Sequence, residues 1–152
     1  MRLTESALLI KCAEINVMDT QEVERIKALA IDMAKLCTEK NGEALSASQV
    51  GISESFFVMR FTEGNYNIVV NPVYYPVGSR YKIVEGCLSF PGRSFLVKRF
   101  KKIQAEYWVL GKKDFIFTRQ TYSGLVAEVF QHETQHCQGK TIESIGKEIK
   151  NG

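Results

Sequence analysis

Apolar residues recur at helical spacing in two stretches of this chain, and between those stretches they cluster in short strand-like runs. Val23, Ile26, Leu29, Met33 and Leu36 fall three or four positions apart, which places them on one face of a helix of about twenty residues. Asp19, with Glu22 three positions later, reads as a capping box at its start, and Asn41-Gly42 reads as its stop. The middle of the chain is β-rich. Phe56-Phe57-Val58-Met59, Ile68-Val69-Val70 and Tyr81-Lys82-Ile83-Val84 are bounded by Gly, Asn or Pro. Ile103 to Leu110 and Phe115 to Thr118 flank Gly111-Lys112-Lys113-Asp114, the signature of a hairpin. Helical periodicity returns from Leu125 to Cys137, with Gly139 as the stop. Helix, strands, helix is the order of an α+β domain: mostly antiparallel β-sheets packed around a C-terminal helix, with an N-terminal helix added.

At 152 residues the chain suits a single domain, expected over 1–152. Its 45% hydrophobic and 24% charged residues are ordinary for a globular protein. No run approaches a membrane span, and the N-terminus shows no secretory pattern. The expected setting is therefore cytoplasmic, with no membrane partner. In such a setting Cys12, Cys37, Cys87 and Cys137 are expected to be reduced thiols. Cys12 and Cys37, among apolar neighbours, read as small core residues. The net charge of +3 is spread out. Its densest cluster, Lys98-Arg99-Phe100-Lys101-Lys102, reads as a solvated strand edge that resists edge-to-edge pairing. Weak attraction to ribosomal RNA is the alternative, although no specific nucleic-acid motif is present.

The chain has two histidines, and both lie in His132-Glu133-Thr134-Gln135-His136. Residues four apart share a helix face, so both imidazoles can reach one metal ion. Glu133 then lies where a general base for a metal-activated water belongs. Such a site needs a third protein ligand. A third histidine six residues after His136 is excluded, because that position is Ile142. Glu143 and Glu148 follow too closely to sit on a later helix. The upstream candidate is Cys87, at a strand end before the Pro91-Gly92 turn. Taken alone it reads equally as an ordinary buried cysteine; beside an incomplete histidine pair, the ligand reading gains. Cys137 is one helical step, about 100°, away from the histidine face.

Three segments resemble those of the peptide deformylases. They are Gly42-Glu43-Ala44-Leu45-Ser46-Ala47-Ser48-Gln49-Val50-Gly51, Glu85-Gly86-Cys87-Leu88-Ser89 and Gln131-His132-Glu133-Thr134-Gln135-His136-Cys137-Gln138-Gly139, in the family's order. The resemblance spans nearly the whole chain. It implies a metal-dependent hydrolase that removes the formyl group from N-formylmethionyl peptides emerging from the ribosome. It implies Cys87, His132 and His136 as ligands of one divalent ion, Fe2+ first, with Zn2+, Ni2+ or Co2+ able to occupy the site. Glu133 becomes the proton carrier, and the Gln49 side chain and Leu88 backbone N–H become donors to the oxyanion. The peptide is expected to lie extended against Gly42, Glu43, Ala44 and Gly86. Its methionine side chain is expected in a pocket including Leu125, Glu128 and Val129. The same resemblance implies a monomer with weak ribosome association, in the cytoplasm of a bacterium or of a viral host.

The sequence also departs from that family. Ala44 and Gln135 stand where glycine and aspartate are usual, and Cys137 replaces leucine. Glu128 and Glu43 replace aliphatic residues, which predicts a more polar mouth to the side-chain pocket. The short segment after Gly139 reads as a short form without a long C-terminal helix. The rival readings are a metallopeptidase built on the same helix and a homologue that binds formylated peptides without turnover.

Overall fold

The computed structural model describes residues 1–62 and 64–150; the remainder of the expected 1–152 domain, residues 63, 151 and 152, lies outside the described residues. Its elements are α1 (Thr20–Glu39), β1 (Ala44–Ser46), a 3-10 helix (Ala47–Val50), β2 (Phe56–Met59), β3 (Asn67–Pro76), β4 (Arg80–Glu85), β5 (Ser94–Phe100), β6 (Lys102–Leu110), β7 (Phe115–Ser123), α2 (Gly124–Cys137), α3 (Ile142–Ile145) and β8 (Lys147–Ile149). Two antiparallel sheets result, a five-stranded one ordered β1-β2-β3-β6-β7 and a three-stranded one ordered β4-β5-β8. This is the α+β architecture that the pattern predicts.

The larger sheet is covered on both faces, and β2 shows why. Its residues Phe56, Phe57, Val58 and Met59 are all buried. Side chains alternate across a strand, so Phe56 and Val58 pack with Ile26, Met33 and Leu36 of α1. Phe57 and Met59 pack on the other side with Ala127, Phe130 and Cys137 of α2. A continuous apolar run is what a strand covered on both faces requires. Helix α2 thereby lies between the two sheets. On the side of the smaller sheet, the Gln131 carboxamide bonds both the N–H and the C=O of Phe100 at 2.9 Å.

Several predicted details are modified. Asp19 caps α1 by accepting from the N–H groups of Gln21 and Glu22, but the reciprocal half of the box is missing because the Glu22 carboxylate turns to Arg25, 2.8 Å away. The predicted hairpin is present: Leu110 pairs with Phe115 across Gly111–Asp114, and the Gly111 N–H donates to the Asp114 carbonyl at 2.9 Å. Strand β3 continues past its predicted end because a bulge between Val70 and Val73 absorbs Pro72. The cluster Lys98-Arg99-Phe100-Lys101-Lys102 is not a solvated edge. Strand β8 flanks β5 only over Ser94–Leu96; further along, the Gln131 carboxamide takes the Phe100 backbone, and the inward positions Phe95, Val97 and Arg99 are all buried. Cys12, Cys37 and Cys137 are buried free thiols. Among the described residues no helix is long and apolar enough to cross a membrane.

The β3 bulge also anchors the N-terminal segment. Asn71 sits at φ 51°, in the left-handed region. Its side chain accepts from the Ile15 N–H at 2.9 Å and donates to the Ile15 carbonyl at 2.8 Å. Asn71→Ala removes both bonds and keeps the backbone strain, so urea denaturation is expected to show a loss of about 2–4 kcal/mol. Asn71→Gly relieves the strain and is expected to lose about 1–2 kcal/mol less than alanine does. Equal losses for the two would show that the conformation at this position carries no cost.

Candidate metal centre

Helical spacing brings His132 and His136 to one face of α2, with their Nε2 atoms 3.2 Å apart. Cys87, just past the end of β4, places its Sγ 3.6 Å from His136 Nε2. The donor atoms of Cys87, His132 and His136 all lie within 4.8 Å of one another. A tetrahedral ion with nitrogen bonds of about 2.0–2.1 Å and a sulfur bond of about 2.3 Å sets its donors about 3.3–3.6 Å apart. The donor set therefore fits a divalent metal, and Cys137 is turned away and buried.

A buried chain of polar groups holds this face of the helix. Glu85 at the end of β4 accepts from Arg99 Nε at 2.8 Å and from Arg99 Nη2 at 2.7 Å, a two-pronged pair. Its Oε1 also lies 3.0 Å from His132 Nδ1. On the far side Arg99 Nη1 donates to the Gln135 side-chain oxygen. Arg99 is fully buried. Glu85 was only a letter in a motif and Arg99 only one cation in a basic run, so sequence reasoning missed both as site-forming residues. The available signal was strand alternation: Phe95, Val97 and Arg99 share a face, and a cation on an apolar face must have a partner.

The protonation states follow from these contacts. Burial by itself would raise the Glu85 carboxyl, but hydrogen bonds and charge from Arg99 and His132 hold it at about 2. Burial opposes a charge on His132, yet hydrogen bonds to Cys87 and Glu85 and the Glu133 charge lift it to about 10. His136 is pushed well below the ordinary histidine value by burial and by the His132 charge. A metal ion held by these donors would take the place of the His132 proton, which would couple loading to pH. Glu133, buried beside the pair with Oε1 3.8 Å from His132 Nε2, is raised to about 7, chiefly by burial. Among the described residues its Oε2 has no hydrogen-bond partner.

The metal face opens into a cleft of about 680 Å³ whose lining includes Gly42, Glu43, Ala44, Gln49, Gly86, Cys87, Leu88, Glu128, Val129, His132 and Glu133. Gln49 stands on the 3-10 helix, its carboxamide oxygen held by the Ser46 N–H at 2.9 Å. That fixes its NH2 toward Ser89 Oγ at 3.1 Å and Cys87 Sγ at 3.5 Å. Gly42 is crowded on its side-chain side: an added Cβ would lie 2.8 Å from Leu88 Cδ1 and 2.9 Å from Cys37 Sγ, so both side chains would have to shift. Its backbone groups are engaged, the N–H with Cys37 and the C=O with Tyr66. Strand β1, with Ala44, is the edge of the larger sheet. The Glu43 carboxylate pairs with Arg60 at 3.1 Å. Leu125 is not brought into this cleft: it is 63% exposed and lines a neighbouring cavity of about 500 Å³ that Val129 and Glu43 share. Half-buried Glu128 faces Glu85, and burial together with the Glu85 charge raises its carboxyl to about 7.

The family model described as polypeptide deformylase matches residues 1–150. A curated relative, peptide deformylase 1 of Clostridium perfringens (strain 13 / Type A), is 34% identical over 117 residues, covering 76% of this chain and 78% of the relative. The crystal structure of the Thermotoga maritima peptide deformylase superimposes with a TM-score of 0.82 at 29% identity, covering 95% of each chain. The structure of a probable peptide deformylase from synechococcus phage S-SSM7 gives 0.79 at 26% identity, covering 95% of this chain and 99% of that one.

The Glu85 pairing has a pH signature. Its folded value of about 2 lies below the ordinary glutamate value of about 4.3. Its contribution to stability is therefore complete above about 4.3 and is lost as pH falls toward 2. Over that window the unfolded chain binds one more proton at this position, a slope of about 1.4 kcal/mol per pH unit. Glu85→Gln is expected to flatten the acid limb of the stability profile by up to that amount, read by denaturant unfolding at stepped pH. An unchanged acid limb would show that Glu85 is not held ionised.

Proposed function

The chain belongs to the polypeptide deformylase family and is a hydrolase that removes the formyl group from nascent peptides, and from that premise we propose which residues carry the reaction. Cys87, His132 and His136 are the metal ligands, a reading supported above all by the convergence of their donor atoms. When bound, the divalent ion, Fe2+ first in this proposal, supplies Lewis-acid activation of a water and of the formyl oxygen. Glu133 takes a proton from the attacking water at its carboxylate and returns it to the leaving amine nitrogen, giving formate and a free amino terminus. Burial, a value near 7 and an unpartnered Oε2 suit it to that exchange. The Gln49 NH2 and the Leu88 N–H meet the charge that develops on the formyl oxygen. Support comes from the Ser46 clamp on Gln49, and from Leu88 N–H having no acceptor among the described residues.

The substrate lies extended along the open edge of β1 near Ala44, with Glu43 and Gly86 beside it. Gly42 shapes this groove through its missing side chain and its engaged backbone, not through pairing with the peptide. Glu128 and Val129 bound the pocket for the methionine side chain, and Leu125 lies further out, on the neighbouring cavity. Residues 1–152 act as one catalytic domain in the cytoplasm, as a monomer with weak ribosome association.

Release of the new amine from formyl-Met-Ala-Ser by anaerobically purified, iron- or nickel-loaded protein tests the assignment. Glu133→Ala is expected to lower kcat/KM by about 10²–10⁴ while elemental analysis still finds one metal per chain. Cys87→Ala is expected to lose the metal itself. Metal retained by Cys87→Ala, or turnover retained by Glu133→Ala, would overturn the respective role. Glu128→Ile is expected to shift preference toward the more apolar first side chains, read as the ratio of kcat/KM for formyl-norleucine and formyl-methionine peptides.

A further inference from the structure

The outer face of the three-stranded sheet carries charge of one sign. Residues i and i+2 of a strand share a face, so Arg80 and Lys82 of β4 stand beside Lys98 of β5 and Lys147 of β8. All four are exposed, and they line a depression of about 470 Å³ that reaches past the sheet to Val97 and Gln135 on its inner side. The remaining outward positions, among them Val84, Ser94, Leu96 and Phe100, include no carboxylate. Among the described residues none of the four cations has an acidic partner, and Arg80 lies over the Phe100 ring, 5.7 Å from its centroid. Lys82 and Lys98 are direct cross-strand partners. Like charges directly opposite destabilise a sheet, and among the described residues no acid pairs with them to offset that cost.

A planar field of cations without acidic partners among the described residues, above a floor of Val84, Leu96 and Phe100, fits a regular row of anions. Neighbouring strands lie about 4.8 Å apart and alternate residues about 7 Å apart, which gives a lattice of positive charge instead of one focused pocket. We infer that the outer face of β4-β5-β8 is a docking surface for the phosphodiester backbone of RNA, bound by charge and without base readout. The choice of RNA rests on the deformylase reading, because a nascent peptide is met on an RNA-rich particle. Val84, on this same face, also lines the catalytic cleft, so RNA held here leaves the cleft beside it.

Fluorescence anisotropy of the full chain with a labelled RNA hairpin, titrated between about 50 and 200 mM salt, tests the surface. With four phosphate contacts the plot of log K against log salt is expected to have a slope of about −3. Lys82→Ser and Lys98→Ser are each expected to reduce that slope by about one, and Lys82→Glu with Lys98→Glu to weaken binding more than tenfold. The paired serine variant carries the same test if charge reversal unfolds the sheet; its Tm is expected to match or exceed that of the parent, since a repulsion is removed. Hydrolysis of formyl-Met-Ala-Ser is read on the same samples and is expected to be unchanged, so a failure at this face and a failure of the cleft assignment are separate results. Hairpin binding that survives both paired substitutions overturns the inference, as does a parent chain that binds phosphatidylglycerol vesicles and not the hairpin.

Discussion

The buried pair of Arg99 and Glu85 is the constraint on which the site is built. Removing two ions from water costs several kcal/mol each, about as much as their attraction returns, so such a pair is weak evidence for stability. Its value lies in what else the two groups hold. Glu85 uses one oxygen both for Arg99 and for His132 Nδ1, which turns the opposite ring nitrogen toward His136 and Cys87. Arg99 spends its remaining prong on Gln135, one residue before His136. Strands β4 and β5 and the helix α2 are thereby joined through a single guanidinium. Breaking the pair would leave an uncompensated buried charge, at a cost of about 3–5 kcal/mol, and would free the His132 ring.

The histidine pair and Glu133 were legible in the sequence because an i, i+4 relation on a helix is local and survives any tertiary arrangement. Cys87 was legible only in company, since a lone cysteine carries no geometry of its own. The two main helices and the hairpin at Gly111–Asp114 followed from periodicity and turn chemistry. The short elements β1, α3 and β8 have three or four residues each, too few to show a period, and they form because longer neighbours supply their partners. The burial of Arg99 is hidden from a count of charge along the chain, because strand alternation distributes charge between faces. The run from Lys98 to Lys102 is one basic cluster in sequence and two environments in space, with Lys98 in water and Arg99 fully buried.

That division explains how one small sheet can serve two purposes. Its inner face carries Phe95, Val97 and the Arg99–Glu85 pair. Its outer face carries cations without acidic partners among the described residues. A one-residue slip between β4 and β5 would exchange the two sets, placing lysines in the core and the arginine in water. The register Glu85↔Phe95 and Lys82↔Lys98 is therefore fixed by the buried face, and the repulsion on the outer face is borne as a consequence.

The departures at Gln135 and Glu128 bear on the same arginine from opposite sides. With a neutral carboxamide at 135, the positive charge of Arg99 is met at close range by Glu85 alone. Glu128 adds a second carboxyl on the cleft side, close enough to feel both Glu85 and Arg99. Burial and the fully ionised Glu85 disfavour a second negative charge more strongly than Arg99 supports it, so Glu128 is pushed up to about 7. A proton is then the least costly counter-charge at that position. In that neutral form the pocket wall presents a hydrogen-bonding carboxyl without a full charge, which an apolar side chain can pack against at lower desolvation cost. The charge state of this cleft wall is thus set first by burial and then by Glu85, the same residue that orients His132.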